Sequence, residues 1–316
     1  MKRAILIFLL HFITLAAVAQ HRNDTAFTAL PFLHSDSVIF PIMLVNAYPL
    51  ISGEVNGIKG KFMFDTGTRQ ALSINHNYVN LPHRREVRKG AAGSGQSFMI
   101  NVNDTISTVK FSNGATYNNL INVESSNYGW LENKVTPDFI GFVGYDFFKG
   151  YILKLDYLKR KITFYKNTPQ RKLSKDFLRG EKLLAVVNFE IRNLPNHPLV
   201  KLKVGNTEIL SSFDTGQYGL LQLNNSAKEK LTESGLVRSV GLDAYDDELI
   251  NVDNVEIDGV FKTSLKGIYP FTLQQTLSFR KAMQITEPNY MSLGYRFLDQ
   301  YKTIWDYEEK KIYILE

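Results

Sequence analysis

The chain has 316 residues, with 37 Lys+Arg against 31 Asp+Glu and no cysteine. The absence of cysteine excludes a disulfide scaffold, a thiol nucleophile and any Cys-ligated metal or iron–sulfur site. At 44% hydrophobic, 12% aromatic and 22% charged residues, the composition suits a globular protein with a sizeable core and neither a disordered nor a fibrous one.

Lys2 and Arg3 precede an apolar run over residues 4–16 that ends in Ala17-Val18-Ala19 before Gln20. This pattern predicts a cleavable signal peptide over residues 1–19. Removing those 19 residues leaves 297, and the net charge falls from +6 to +4 with Lys2 and Arg3. The remaining basic residues are dispersed or in short clusters such as Arg84-Arg85 and Lys159-Arg160-Lys161, which reads as a solvated surface. Most aromatics sit inside apolar, strand-like patterns, so no nucleic-acid partner is expected. No later stretch approaches the roughly 20 apolar residues of a membrane span, and none is expected in the mature chain. A periplasmic or secreted bacterial protein follows, since a chain of this size can rely on its core where small secreted domains need disulfides. The polar start of residues 20–36 reads as an N-terminal leader.

Short β-branched or aromatic segments then recur at residues 38–42, 62–64, 97–100, 161–165 and 200–204, often alternating, with turn signals at Asn56-Gly57, Asn113-Gly114 and Asp258-Gly259. Helical patterns are few: 145–149, 226–234 and 295–300. The expectation is an all-β fold.

The chain repeats itself. At a shift of 149 residues, Val38, Phe40, Ile42, Pro49, Leu50 and Val55 fall on Val187, Phe189, Ile191, Pro198, Leu199 and Val204. Phe64-Asp65-Thr66-Gly67 falls on Phe213-Asp214-Thr215-Gly216 in the same alignment. A shift of 150 matches Gly144, Tyr145, Phe147, Tyr151, Asp156 and Tyr157 with Gly294, Tyr295, Phe297, Tyr301, Asp306 and Tyr307. Two lobes of one fold are expected, 37–167 and 182–316. The connector, 168–181, is basic, carries Pro169 and is expected to be exposed.

Asp-Thr-Gly thus occurs once per lobe at equivalent positions, each time after an apolar strand. A structural turn has no need of such duplication. Pseudo-two-fold symmetry would set Asp65 against Asp214, and two close carboxyls hold one proton between them across a wide pH range, giving one acid and one base. In that arrangement the ionised member activates a water that attacks a peptide carbonyl, and the protonated member supports the oxyanion. Gly67 and Gly216 would let the backbone turn tightly and aim N–H groups at the carboxylates, and Thr66 and Thr215 would cross-bond between the lobes.

These features resemble the aspartic peptidases, most closely the retropepsin-like bacterial aspartyl proteases. Each lobe also shows a similar second signature, apolar residues before a Gly and then a short helix: Phe142-Val143-Gly144-Tyr145 and Ser292-Leu293-Gly294-Tyr295. The resemblance implies a bilobal aspartic-protease fold, with two pseudo-symmetric β-barrel-like lobes and the active-site cleft between them. It implies Asp65 and Asp214 as the catalytic dyad, Thr68 beside Thr66 and Gly67 as support, and a flap at the Gly-rich residues 89–97, with Gly93, Ser94 and Gly95 over the substrate. The sequence departs from the family at Gln217, where a hydroxyl or small residue is usual, and at Ser292; a second flap near the acidic residues 243–248 is doubtful. The expected activity is that of a monomeric aspartic-type endopeptidase acting on extended polypeptide. The alternatives are a catalytically inactive peptide-binding protein of the same fold and a scaffold that reuses the repeat. Histidines never fall at zincin spacing and no EF-hand, G-x-S-x-G or phosphate loop is present, so no metal or cofactor is expected.

Overall fold

The computed structural model describes residues 32–91, 96–103 and 105–316. The predicted signal peptide, most of the predicted leader and the flap residues Gly93, Ser94 and Gly95 lie outside the described residues. Among those described the fold is predominantly β, with one ten-stranded sheet in the first half, one seven-stranded sheet in the second, and a six-stranded sheet built from both.

Local chemistry sets the first sheet. The strands Tyr48–Val55 and Ile58–Phe64 are joined by Asn56-Gly57, both at positive φ (49° and 84°), the turn whose twist matches that of the flanking strands. Ile58–Phe64 then pairs in parallel with Phe139–Val143, which lies antiparallel to Leu72–Asn75. The second half repeats this order. Thr207–Phe213 pairs antiparallel with Leu199–Val204 and parallel with Tyr290–Leu293, which lies antiparallel to Leu220–Gln222. The repeat seen in the sequence is therefore a repeat of strand topology.

The shared sheet is itself symmetric. Its central strands, Tyr151–Asp156 and Lys302–Asp306, pair antiparallel with Leu153↔Trp305, Lys154↔Ile304 and Leu155↔Thr303. Lys154 and Ile304 are 150 residues apart, so this register maps onto itself under the sequence repeat. Fully buried rings back it: Phe40 meets Phe111, Phe147 and Phe164 edge-on, and Phe213 meets Phe297 and Trp305 in the same way. Tyr307 links the halves through Tyr145 at 4.9 Å and Phe189 at 5.7 Å.

Two regions differ from expectation. The connector contains a helix, Pro169–Ser174, capped by the Thr168 hydroxyl, and a single 3₁₀ turn, Asp176–Leu178. It is only partly exposed, because Arg171 and Phe177 are buried. Arg171 donates to Asp36 and Asp176, and so ties the connector to the start of the first half. A helix at Leu273–Met283 also had no clear periodic signal, although Thr272 and Gln275 form the reciprocal capping box that a T-x-x-Q spacing allows.

Candidate functional site

Phe64 and Phe213, both fully buried, end the two equivalent strands and hand the chain to the Asp-Thr-Gly loops. The loops are fixed from behind by the short helices Tyr145–Phe148 and Tyr295–Leu298. Tyr145 N–H donates to Thr68 O at 2.9 Å and Asp146 N–H to Arg69 O at 2.9 Å; Tyr295 N–H donates to Gln217 O at 2.8 Å and Arg296 N–H to Tyr218 O at 2.9 Å. Gly144 and Gly294 are required there, since a Cβ on either would run into the backbone carbonyl of Thr68 or Gln217.

The two loops meet at the junction of the halves. Thr66 N–H donates to Thr215 Oγ1 at 3.0 Å, and Thr215 N–H donates to Thr66 Oγ1 at 3.1 Å. Thr215 Oγ1 also donates to Phe64 O at 2.9 Å. Both threonines are fully buried. Gly67 N–H reaches Asp65 Oδ1 and Gly216 N–H reaches Asp214 Oδ1, each at 2.8 Å. Each glycine also backs onto the opposite carboxyl: a Cβ on Gly67 would lie 2.5 Å from Asp214 Oδ2, and one on Gly216 would strike Asp65 Oδ1. Asp65 and Asp214 thus sit face to face as the repeat required.

Their surroundings are unequal. Thr68 Oγ1 donates to Asp65 Oδ2 at 2.8 Å, whereas Gln217, at the matching position, makes no such bond to Asp214 among the described residues. Burial raises both carboxyls. At Asp65 it is opposed by the hydrogen bonds from Thr68, Gly67 and Asp214. At Asp214 it is reinforced by the negative charge of Asp65 and only partly offset by the Gly216 and Gly67 N–H groups, so this carboxyl is pushed well above the usual range. Both carboxyls are thus held above their ordinary range, Asp214 the further of the two. Tyr48 lies in the same field, raised by burial and then by Asp65 and Asp214.

One residue escaped the sequence reading. Asn196, 1% exposed, donates from Nδ2 to Thr66 O at 3.0 Å and Gly67 O at 2.8 Å, so a side chain of the second half clamps the first loop. Its neighbour His197 is pushed down to about 4 by burial, against a hydrogen bond to the Gly67 backbone that raises it. At the 149-residue shift these two fall on Ala47 and Tyr48, and only Pro198 signalled the alignment.

The strands on either side of the expected flap do form a hairpin: Arg84–Ala91 pairs antiparallel with Ser97–Asn103 and ends the ten-stranded sheet. The second half has a counterpart, Val237–Leu242 with Glu248–Ile257. Its acidic tip is a structured turn, in which Asp243 accepts from the N–H groups of Tyr245 and Asp247 and from Tyr269 Oη. Among the described residues no cluster of three acidic or histidine side chains could hold a metal. No described helix is long and apolar enough to cross a membrane.

No family model matches the chain and no curated protein matches it. Solved structures do: basic 7S globulin from soybean, 10% identical with a TM-score of 0.53, covering 89% of this chain and 95% of that one. Conglutin gamma, a basic 7S globulin from lupine seeds, is 10% identical with a TM-score of 0.57, covering 90% of this chain and 95% of that one. Both are named as globulins and neither as a peptidase. On that finding the expected membership of the aspartic peptidases is corrected, and with it the expected activity of an aspartic-type endopeptidase and the hydrolase class. The physical reason is that the matched Asp-Thr-Gly loops specify a junction that holds two carboxyls together, while an activity was carried over from a resemblance of fold, and one fold hosts many functions. At these identities the likeness is one of fold: over nearly its whole described length, the chain is similar in fold to the basic 7S globulins.

Proposed function

We propose that the protein is a polypeptide-binding protein whose site is the Asp65/Asp214 pair at the junction of two pseudo-symmetric lobes, 37–167 and 182–316, with a cleft between them. The observation that carries this reading is a pair of buried, face-to-face carboxyls with unequal support, Thr68 Oγ1 donating to Asp65 with no matching bond to Asp214 among the described residues, so that a proton kept on Asp214 would let it donate while Asp65 accepts. A neutral group that both accepts and donates, such as a backbone amide or a hydroxyl, satisfies both at once. Two hairpins offer a place for an extended chain, because Arg84–Ala91 and Val237–Leu242 end their sheets and present unpaired backbone groups for strand addition. The protein acts as a monomer, since each half already supplies one carboxyl. Its place is outside the cytoplasm, a reading supported by the pattern of residues 1–19.

The test is to incubate the chain from residue 20 with a mixture of extended peptides, recover those bound and weigh them, beside Asp65→Asn and Asp214→Asn. Peptides are expected to return intact, and each substitution to weaken binding about tenfold, the loss of one charge-assisted hydrogen bond. Absence of binding, or wild-type affinity in both variants, would overturn the proposal. Peptides returning as fragments, with the cutting lost in either variant, would show that the pair turns over what it binds.

A further inference from the structure

The two halves differ in charge one residue past each short helix's first position, where Asp146 of the first half is matched by Arg296 of the second. The backbone is the same at both, since each N–H donates to the residue four places after a dyad carboxyl, Arg69 or Tyr218. The side chains are not. The Arg296 guanidinium lies over the Tyr218 ring at 4.9 Å and near the Tyr295 ring at 5.8 Å. It has no carboxylate within salt-bridge distance among the described residues, and its Nε is buried without a hydrogen-bond partner there. Asp299, one turn on along the helix, is the acidic group that feels it; burial raises that carboxyl, the guanidinium opposes the rise, and its Oδ1 is also buried without a partner. Gly267, at φ 63°, packs its backbone against the other side, where a Cβ would stand only 3.3 Å from the guanidinium.

A guanidinium held between aromatic faces is oriented at little further entropic cost, and although Arg296 also hydrogen-bonds the Tyr218 hydroxyl, its remaining donors suit a planar acceptor. We propose that Arg296 is the anchor for an acidic side chain, Asp or Glu, of the bound polypeptide. This inference rests on the polypeptide-binding reading. It makes Arg296 a specificity determinant on the same loop and helix that carry and brace Asp214. The Tyr218 ring forms one wall of the subsite and the Gly267 backbone another, so the carboxylate would meet the terminal nitrogens of the guanidinium.

The experiment measures affinities of paired extended peptides, about eight residues long so as to span the strand edges, that differ only by Glu or Gln at each position in turn. At one position the wild type is expected to prefer Glu about tenfold, with the preference weakening as salt rises. Arg296→Gln should abolish the preference, and Arg296→Lys should restore only part of it. A second readout needs no peptide: the Arg296 Nε–H resonance is expected to shift on titration with glutarate. Peptides that bind with no Glu preference at any position would overturn the anchor and leave the binding reading standing. A resonance that does not move, in a chain that binds no peptide, would remove both.

Discussion

Replacing Glu181 with Gln is expected to cost about 3–5 kcal/mol of stability, because it leaves two nearly buried ammonium groups without their counter-charge. Lys154 Nζ donates to Glu181 Oε1 at 2.5 Å and Lys302 Nζ to Oε2 at 2.5 Å, with side-chain exposures of only 9%, 14% and 15% for Lys154, Glu181 and Lys302. The two lysines stand on the central strands of the shared sheet, one from each half, so this carboxylate from the connector bolts the halves together. Burial raises Glu181, but the hydrogen bonds and charges of the two lysines outweigh it and hold the carboxyl below its ordinary range. A depressed carboxyl contributes stability above its unfolded value, about 4.3, and loses it as pH falls through the folded value. Urea unfolding followed by tryptophan fluorescence, with Trp305 buried in this sheet, should show the loss at neutral pH and a smaller one in acid. A loss under about 1 kcal/mol, the range of exposed ion pairs, would mean that water reaches the triad. Replacing all three residues by apolar ones of similar volume should recover much of the deficit, since the uncompensated charges go with them.

Thr215→Val is expected to have the next largest effect, about 2–4 kcal/mol. The isosteric change removes the acceptor of the Thr66 N–H and the donor to Phe64 O, each in a fully buried setting where an orphaned group costs about 1–3 kcal/mol. The damage reaches the site, because these bonds hold the loops that aim Gly67 and Gly216 at the carboxyls. Affinity for peptides should fall together with stability. Thr66→Val should behave similarly, and the double variant should cost less than the sum, since each threonine bonds the other. Strict additivity in that cycle would contradict the reciprocal bonding at the junction.

Much of this arrangement was legible in the residues. Ten identities at one shift placed Asp65 and Asp214 on equivalent loops, and Asn56-Gly57 announced the hairpin that leads into the first of them. Apolar residues before Gly144 and Gly294 announced the braces behind. What was not legible came from contacts between distant parts of the chain. Asn196 sits in a loop with no pattern of its own, and its role exists only because the second half folds against the first loop. Arg171 and Glu181 read as part of a basic, exposed connector, whereas tertiary packing buries one between Asp36 and Asp176 and clamps the other between two lysines. Activity is not legible for a different reason: the motif describes how two carboxyls are held, and the solved structures similar in fold are named as globulins.

Asp214 is expected to hold the proton shared by the pair, because burial and the charge of Asp65 both raise it. The most direct measurement is the ¹³C shift of both side-chain carboxyls from about pH 3 to about pH 9, a range that brackets the ordinary aspartate value near 3.9. Asp214 is expected to keep its proton well above that value, with two mutually dependent titration curves, and Asp65→Asn to bring Asp214 back down by removing the charge that opposes its ionisation. Two independent titrations, both near the ordinary aspartate value and unchanged by Asp65→Asn, would contradict it.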